Sequence, residues 1–126
     1  MELMRLIFVL MRRELKLYKF KTKALMSNYE AIILCGGKGT RVSRLTKHMP
    51  KCLIDINGKP FLYHQLKFLK KNNIKKVIIS TGYLSKNIKK YLKKNINFIN
   101  FKVQDDGRKL LGTGGAILKS INLLKK

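Results

Sequence analysis

Residues 33–51 read ILCGGKGTRVSRLTKHMPK, a stretch in which a short apolar run ends abruptly in two glycines. The run Ala31–Cys35 is continuous rather than alternating, which is typical of a strand buried on both faces. A glycine-rich loop follows this run, and the pair Pro50–Lys51 closes the stretch. The stretch therefore predicts a buried strand whose carboxyl end leads into a turn flanked by cations.

The glycine loop has the chemistry of a phosphate site. Glycine permits positive φ and lets a ligand approach the backbone closely, and exposed amide groups in such a loop form an anion-binding nest. Thr40 adds a hydroxyl donor, and Arg41 adds a bidentate partner for phosphate. A triphosphate suits this loop, while a tight turn with solvated cations is the simpler alternative.

Apolar runs and helical periodicity alternate along the rest of the chain. The pattern predicts, in order, an extended piece at 53–56 closed by the turn NGKP, a helix at 60–71 ended by two asparagines, a strand at 76–80, a helix at 84–94, a strand at 96–103, a loop at 104–115 and a helix at 116–124. Strands that alternate with helices imply parallel βαβ units, and ligands bind such sheets at the carboxyl ends of the strands. The sequence thus predicts an α/β fold, with a parallel sheet and flanking helices, over residues 30–126.

The chain of 126 residues carries a formal net charge of +23 and only six acidic residues. This charge suits a nucleic-acid partner or a site for anionic small molecules. Lysine supplies most of it, whereas arginine, the better reader of bases and phosphates, is scarce. The bias therefore also fits compositional drift, and a nucleic-acid partner is not expected.

The two cysteines, Cys35 and Cys52, are too few for a disulfide framework and favour a reducing cytoplasm. With His48 and His64 they make four potential zinc ligands. The sequence contains no CxxC or HxxxH pair, so a zinc site is not expected.

Residues 1–29 form a basic extension that holds no glycine or proline. Their apolar run, Leu6–Met11, is too short to span a bilayer, and its flanks do not fit a signal peptide. One interpretation is a basic amphipathic helix on a membrane surface. The other is an extension that is poorly ordered or not normally translated, with Met26 as the true start.

Neither common phosphate-loop motif is present, because no GxxxxGK[ST] run exists and the dinucleotide fingerprint lacks its third glycine. The run LCGGKGTRVSRLTKHMPK instead resembles the signature GGxGTRL…PK of the sugar-1-phosphate nucleotidyltransferases, with Val42 in place of leucine. The likeness continues through INGKPFL, the strand context at Ile74–Thr81 and LLGTGGAI at Leu110–Ile117, and it covers about residues 30–124. It looks most like the bacterial branch that includes D-glycero-D-manno-heptose 1-phosphate guanylyltransferase and its mannose-1-phosphate relatives.

The resemblance implies a Rossmann-like domain in which a sugar 1-phosphate oxygen attacks the α-phosphate of a nucleoside triphosphate and pyrophosphate leaves. Positioning and charge neutralisation do most of this catalysis. The resemblance assigns Arg41 to the leaving pyrophosphate and Lys51 to the α-phosphate and the sugar phosphate, as the catalytic pair. The nucleotide-binding positions that it carries over are Leu34, Cys35, Gly36, Gly37, Gly39, Thr40, Gln104, Gly112 and Thr113. Within this set Gln104 is matched loosely to the base edge, because DDGRKL intervenes before the last motif.

The family holds Mg²⁺ with an aspartate in a later Gly-Asp motif, and this sequence contains no Gly-Asp pair. The resemblance therefore implies Mg²⁺ as cofactor while its usual aspartate ligand is absent. The sugar-binding half is absent too, so the chain is expected to be the N-terminal half of a cytoplasmic transferase.

Three hypotheses stay open. The chain is an enzyme fragment, a nucleotide-binding module that needs a second chain, or a basic protein that binds nucleic acid or a membrane surface. In addition, a truncated sheet leaves an unpaired edge, which predicts self-association or a partner chain.

Overall fold

A computed structural model describes residues 29–38, 48–107, 109 and 111–124. In chain order its elements are β1 (Glu30–Cys35), a 3₁₀ helix (Lys51–Leu53), β2 (Asp55–Ile56), β3 (Lys59–Pro60), α1 (Phe61–Lys71), β4 (Lys76–Thr81), α2 (Ser85–Asn95), β5 (Asn100–Asp105) and α3 (Gly112–Leu124). The predictions made for residues 1–28 fall outside the described part of the chain. No helix within that part is both long and apolar enough to cross a bilayer.

Strands β1, β4 and β5 form a parallel sheet in that order, with Thr81 of β4 between Cys35 and Asp105 at the carboxyl edge. The central strand β4 is buried at every position except Lys76, which explains its continuous apolar run. A separate two-stranded hairpin, β2 and β3, lies between β1 and α1. The predicted α/β fold with a parallel sheet is confirmed.

Different helices cover the two faces of the sheet. On one face, strand residues meet α1 and α2 in a single buried cluster, whose strand and helix members include Ile33, Val77, Ile79, Leu62, Leu66, Ile88 and Leu92. On the other face lies α3, where the hydroxyl of Ser120 donates to Gln104 Oε1 at 3.3 Å. Each fully buried leucine or isoleucine of the cluster contributes about 1.5–3 kcal/mol through apolar burial. The described part of the chain therefore has three layers: α1 and α2 on one face, the parallel sheet in the middle, and α3 on the other face.

The helices predicted at 60–71 and 84–94 and the strand predicted at 76–80 are confirmed to within one residue at each end. The predicted helix end at two asparagines is also observed, since Asn73 has φ 63°, the left-handed conformation that ends many helices. The extended piece predicted at 53–56 divides between the 3₁₀ helix and β2.

Two other boundaries were predicted wrongly. The strand predicted at 96–103 begins only at Asn100, because the ring of Phe98 packs edge-on against Tyr63 with centroids 5.5 Å apart. The loop predicted at 104–115 is shorter, because β5 continues to Asp105 and α3 already begins at Gly112. At the first of these boundaries, packing against a neighbouring element overrides the local sequence signal.

Candidate functional site

A cleft of about 630 Å³ opens at the carboxyl edge of the sheet, where parallel sheets commonly bind ligands. It lies between the start of α1 on one face and the start of α3 on the other. Residues from the glycine loop, the 3₁₀ helix, both helices and the strand ends line it: Leu34, Cys35, Gly36, Gly37, Lys38, Lys51, Cys52, Phe61, Gln65, Ser80, Asp106, Gly112, Thr113 and Ala116.

The first wall of the cleft is the start of the glycine loop. The carbonyl of Gly36 accepts a hydrogen bond from the backbone N–H of Tyr83 at 3.1 Å, which ties the loop to the residues after β4. A Cβ at Gly36 would lie 3.4 Å from the Gly82 nitrogen, an ordinary van der Waals contact, so the loop packs closely against the residues after β4 here. A Cβ at Gly37 would meet nothing within 4 Å, because that residue faces open space in the cleft.

The second wall carries Lys51 at the start of the 3₁₀ helix. Pro50 is buried beneath this turn, and its carbonyl accepts the Leu53 N–H at 2.8 Å. The Lys51 carbonyl accepts the Ile54 N–H at 3.2 Å, so the backbone of the turn is fixed while the Lys51 side chain is exposed. The ammonium group of Lys51 therefore lies at the cleft on a flexible side chain, while the backbone that carries it is held in place.

The two cysteines lie between these walls. Cys35 ends β1, Cys52 lies in the 3₁₀ helix, and both are buried and free. The hydrogen bond to Cys52 and burial raise the pKa of the Cys35 thiol, so Cys35 keeps its proton. The same hydrogen bond lowers the pKa of Cys52. His64 is engaged elsewhere, with its Nε2 at 2.8 Å from the Ile56 carbonyl oxygen.

Gln104 lies behind the cleft in a buried polar network and does not line it. Its Oε1 accepts hydrogen bonds from Ser80 Oγ at 2.7 Å and Ser120 Oγ at 3.3 Å. Its Nε2 donates to Asp106 Oδ1 at 3.1 Å. The side chain of Gln104 thus links β4, α3 and the loop after β5, and its contacts with Ser80 and Asp106 reach the lining of the cleft.

Asp106 is the one carboxylate among the described residues that line the cleft. Its backbone N–H donates to the Thr81 carbonyl at 2.9 Å, which holds the loop after β5 against the end of β4. No group of three or more His, Cys, Asp or Glu side chains within the described residues is placed to hold a metal ion. The described side chains therefore do not by themselves fit a magnesium site.

The positions that the sequence predicted fall into three groups. The cleft brings together seven of them from three separate segments: Leu34, Cys35, Gly36, Gly37, Lys51, Gly112 and Thr113. Gln104 lies next to them through Asp106. Gly39, Thr40 and Arg41 lie outside the described residues.

Sequence reasoning missed the other residues of the lining: Lys38, Cys52, Phe61, Gln65, Ser80, Asp106 and Ala116. For Phe61 and Gln65 a signal was available, because they share one stripe of α1 at i, i+4 spacing, outside the core stripe of Leu62 and Leu66. Ser80 and Asp106 carry no such signal, since only the register of β4 and β5 brings their strand ends together.

Several known proteins are similar to this chain. Residues 30–126 match the family described as nucleotidyl transferase. The D-glycero-alpha-D-manno-heptose 1-phosphate guanylyltransferase of Campylobacter jejuni subsp. jejuni is 43% identical over 96 residues, which are 76% of this chain and 43% of that protein. The protein of the same name from Aneurinibacillus thermoaerophilus is 40% identical over 93 residues, 72% of this chain and 39% of that protein.

A solved structure adds to these matches. The crystal structure of HddC from Yersinia pseudotuberculosis complexed with GMP-PN has a TM-score of 0.65 and 33% identity, over 75% of this chain and 42% of that one. The matches confirm the resemblance that the glycine loop and the Pro-Lys pair indicated. This chain spans only 43% and 39% of the two curated relatives.

Proposed function

The chain belongs to the nucleotidyl transferase family, and on that premise we propose that it carries the nucleotide-binding part of a sugar-1-phosphate nucleotidyltransferase. The proposed reaction joins the nucleotidyl group of a nucleoside triphosphate to a sugar 1-phosphate and releases pyrophosphate. The single observation that carries this proposal is the cleft at the carboxyl edge, where three motifs far apart in sequence converge. They are the glycine loop, the Pro-Lys turn and the start of α3.

The proposed chemistry rests on positioning and charge. The exposed backbone at Gly37 approaches the phosphates, since no side chain there would hold them away. Lys51 places its ammonium group on the α-phosphate and the incoming sugar phosphate, where a point charge on a flexible stem follows a group that moves during in-line displacement. We assign Gly39, Thr40 and Arg41 to the β- and γ-phosphates by their place in the motif.

Gly112 and Thr113 open α3 on the far side of the cleft and are proposed to contact the base and ribose. The Gln104 side chain would reach the base only if its hydrogen bond to Asp106 broke. We therefore propose that Gln104 and Asp106 contact the base together. Mg²⁺ would supply charge neutralisation on the phosphates in this family. The described residues do not by themselves form a site for it.

We propose a guanine nucleotide as the ligand, because the two curated relatives are named guanylyltransferases and the solved neighbour was complexed with GMP-PN. The remaining length of those relatives has no counterpart in this sequence. The sugar 1-phosphate and the complete reaction are therefore proposed only for a protein that also contains that remaining length. We propose a cytoplasmic location for it.

A binding experiment tests the proposal. Isothermal titration calorimetry with GTP is expected to show binding that Lys51→Ala weakens by about tenfold to a hundredfold, the loss expected for a hydrogen bond to a charged group. Lys75→Ala is the matched control. Lys75 is equally a lysine and exposed, but it precedes β4 at the opposite edge of the sheet. Its substitution is expected to leave GTP binding unchanged.

Other nucleotides and a polynucleotide complete the test. Tighter binding of CTP or UTP would change the proposed base while keeping the proposed function. A different outcome would contradict the proposed function itself. In that outcome a single-stranded polynucleotide would bind more tightly than GTP, and the Lys51 and Lys75 substitutions would weaken polynucleotide binding equally. That result would favour the hypothesis of a basic nucleic-acid-binding protein, in which each lysine contributes only its charge.

A further inference from the structure

We propose that Asp106 is the residue that selects guanine in the candidate cleft, by accepting hydrogen bonds from the N1–H and the N2 amino group of that base. The inference rests on the proposed function, since it needs a nucleoside triphosphate in the cleft. It deepens that function, because it assigns the choice of base to one side chain. Asp106 lies outside the motifs that indicated the family, in the segment between Gln104 and the last motif.

The carboxylate of Asp106 is held at the cleft by its backbone and its surroundings. Its backbone N–H donates to the Thr81 carbonyl at 2.9 Å, which fixes the residue at the end of β4. Its Oδ2 lies 3.6 Å from the position that a Cβ on Gly36 would take, so the carboxylate faces the start of the glycine loop. The side chain is half-buried and lines the cleft. A ligand that lies against the loop is therefore within reach of this carboxylate.

The charges of the cleft distinguish the two ends of a nucleotide. Among the described residues that line the cleft, Lys38 and Lys51 are the cations and Asp106 is the carboxylate. No ion pair between described residues neutralises Asp106. A carboxylate repels phosphates, whereas the two lysines attract them. Asp106 is therefore suited to an uncharged part of the nucleotide that carries hydrogen-bond donors.

A buried network fixes the direction in which Asp106 accepts hydrogen bonds. An ionised carboxylate only accepts, so the Gln104 amide turns its NH₂ group towards Asp106. The other end of that amide, Oε1, accepts from the hydroxyls of Ser80 and Ser120, which are 1% and 0% exposed. The Leu111 N–H approaches Asp106 Oδ2 at 3.4 Å. These two donors occupy only half of the roughly four lone-pair sites of a carboxylate, so the others are open to a ligand.

Guanine is the base whose edge matches a carboxylate. Its N1–H and its N2 amino group are adjacent donors, which two carboxylate oxygens can accept side by side. Adenine and cytosine present an unprotonated ring nitrogen beside their amino group, and uracil has a carbonyl on each side of its one N–H. Each of these edges turns an acceptor towards the carboxylate and is repelled by it. The chemistry of Asp106 therefore favours guanine without reference to any relative.

Binding of GTP and of inosine triphosphate, ITP, tests the inference in the wild-type chain. ITP is GTP without the N2 amino group, so it keeps the triphosphate, the ribose and the N1–H. Isothermal titration calorimetry is expected to show that GTP binds about tenfold to a hundredfold more tightly than ITP, the effect of one hydrogen bond to a charged group. Equal binding of GTP and ITP, or tighter binding of CTP or UTP, overturns the inference alone. A chain that binds none of these nucleotides overturns the proposed function as well.

Asp106→Asn and Asp105→Asn form a matched pair, because the two carboxylates are adjacent in sequence and face different partners. Asp105 accepts from Lys89 and Ser85 of α2 and does not line the cleft. Asp106→Asn is expected to reduce the ratio of GTP to ITP affinity to less than about threefold, whereas Asp105→Asn is expected to keep it. The ratio is the readout, because removal of a carboxylate near the phosphates changes the affinity for every triphosphate alike. A ratio that Asp106→Asn leaves unchanged, or that both substitutions reduce equally, overturns the role given to Asp106.

The probe 2′-deoxy-GTP separates the base from the ribose, whose hydroxyls are the other adjacent donors of the ligand. If Asp106 selects the base, the difference in affinity between GTP and 2′-deoxy-GTP is expected to be the same in the wild type and in Asp106→Asn. Loss of that difference in the variant, with the preference for GTP over ITP kept, would place Asp106 at the ribose and overturn the inference.

Discussion

At the scale of single residues, the carboxylate of Asp105 is held in its charged form by three neighbouring groups. Its carboxylate accepts hydrogen bonds from Lys89 Nζ at 2.5 Å, Ser85 Oγ at 2.6 Å and the Gly107 N–H at 2.9 Å. These bonds, that of Lys89 above all, lower the pKa of Asp105 to about 2. Asp105 therefore ties α2 to the end of β5 and stays ionised, while its neighbour Asp106 faces the cleft.

This ion pair makes part of the stability depend on pH. The folded-state pKa of Asp105 lies below its unfolded value of about 3.9, so its contribution is complete above that value and is lost as the pH falls towards 2. Asp105→Asn is expected to lower the free energy of unfolding at pH 7 by about 1 kcal/mol or less, because the pair is partly exposed to solvent. Urea denaturation of both proteins from pH 7 down to pH 2 measures this difference, which is expected to shrink below about pH 4 and to be nearly lost at about pH 2.

Lys89→Gln is the companion variant. It is expected to remove most of the same pH-dependent difference, so that the double variant with Asp105→Asn loses little more than either single variant. A difference that grows on acidification, or two variants whose losses simply add, would contradict the role given to this pair.

The residues of the candidate site were predictable from the sequence where they belong to a short local motif. Gly36, Gly37 and Lys51 belong to short motifs whose local chemistry indicates phosphate. Asp106 falls within the loop predicted at 104–115, and nothing local shows that the register of β5 on β4 turns it towards the cleft. The role of Gln104 at the base stays a prediction, and its burial against two serines was not visible in the sequence.

At the scale of elements, the start of α3 contains three glycines at positions 112, 114 and 115, a composition that predicts a loop and not a helix. Two of these glycines differ in their surroundings. A Cβ at Gly114 would meet nothing within 4 Å, whereas a Cβ at Gly115 would lie 2.9 Å from the Leu111 Cβ. Gly115 is thus required for the close packing of Leu111, and Gly114 is not.

The pair Gly114→Ala and Gly115→Ala tests this difference. Gly114→Ala is expected to raise the free energy of unfolding by about 0.5–1 kcal/mol, the advantage of alanine over glycine within a helix. Gly115→Ala gains the same advantage but forces Leu111 to move, so it is expected to lower stability. Urea denaturation at one pH compares the two. Equal effects of both substitutions would show that the first turn of α3 is not packed as described.

Elements with a clean period were predictable, and those shaped by a neighbour were not. Helix α1 and strand β4 show one periodicity throughout, and their predicted bounds hold. The apolar run that starts at Ile96 looked like one long strand. Its first part packs instead as a connection, with Phe98 beneath the Lys67 ammonium at 4.3 Å from the ring centroid. Sequence periodicity does not reveal this contact, because Lys67 and Phe98 lie about thirty positions apart in the sequence.

At the scale of the whole molecule, both outer strands of the described sheet, β1 and β5, have an open edge, and the edge of β1 lies beside exposed apolar side chains. β1 pairs with β4 on one side and has no second partner strand among the described residues. Beside this edge lies an apolar cleft of about 640 Å³. It is lined by β1 and by the stripe of α1 that carries Phe61 and Gln65. Phe68 within it is 65% exposed. Unpaired backbone groups next to exposed apolar side chains favour the addition of another strand.

For the isolated chain in solution, the occupant that we predict for this edge is a second copy of the same chain, since its β1 offers the matching unpaired strand. The net charge of +23 opposes the association, because two such copies repel each other at low ionic strength. Sedimentation velocity is therefore expected to show dimers or larger species whose fraction rises with salt, as screening weakens the repulsion. Binding to a polynucleotide would show the opposite dependence on salt.

Phe68→Glu is expected to shift the chain towards monomer at every salt concentration, since it places a charge within the apolar cleft. Leu118→Glu is the matched control. Leu118 is 68% exposed against 65% for Phe68, and it lies on α3, which covers the other face of the sheet. Both substitutions remove an exposed apolar side chain and add the same charge, so a difference between them reports the position alone. A wild type that stays monomeric in high salt, or an equal response to both substitutions, would show that copies do not associate through the β1 edge.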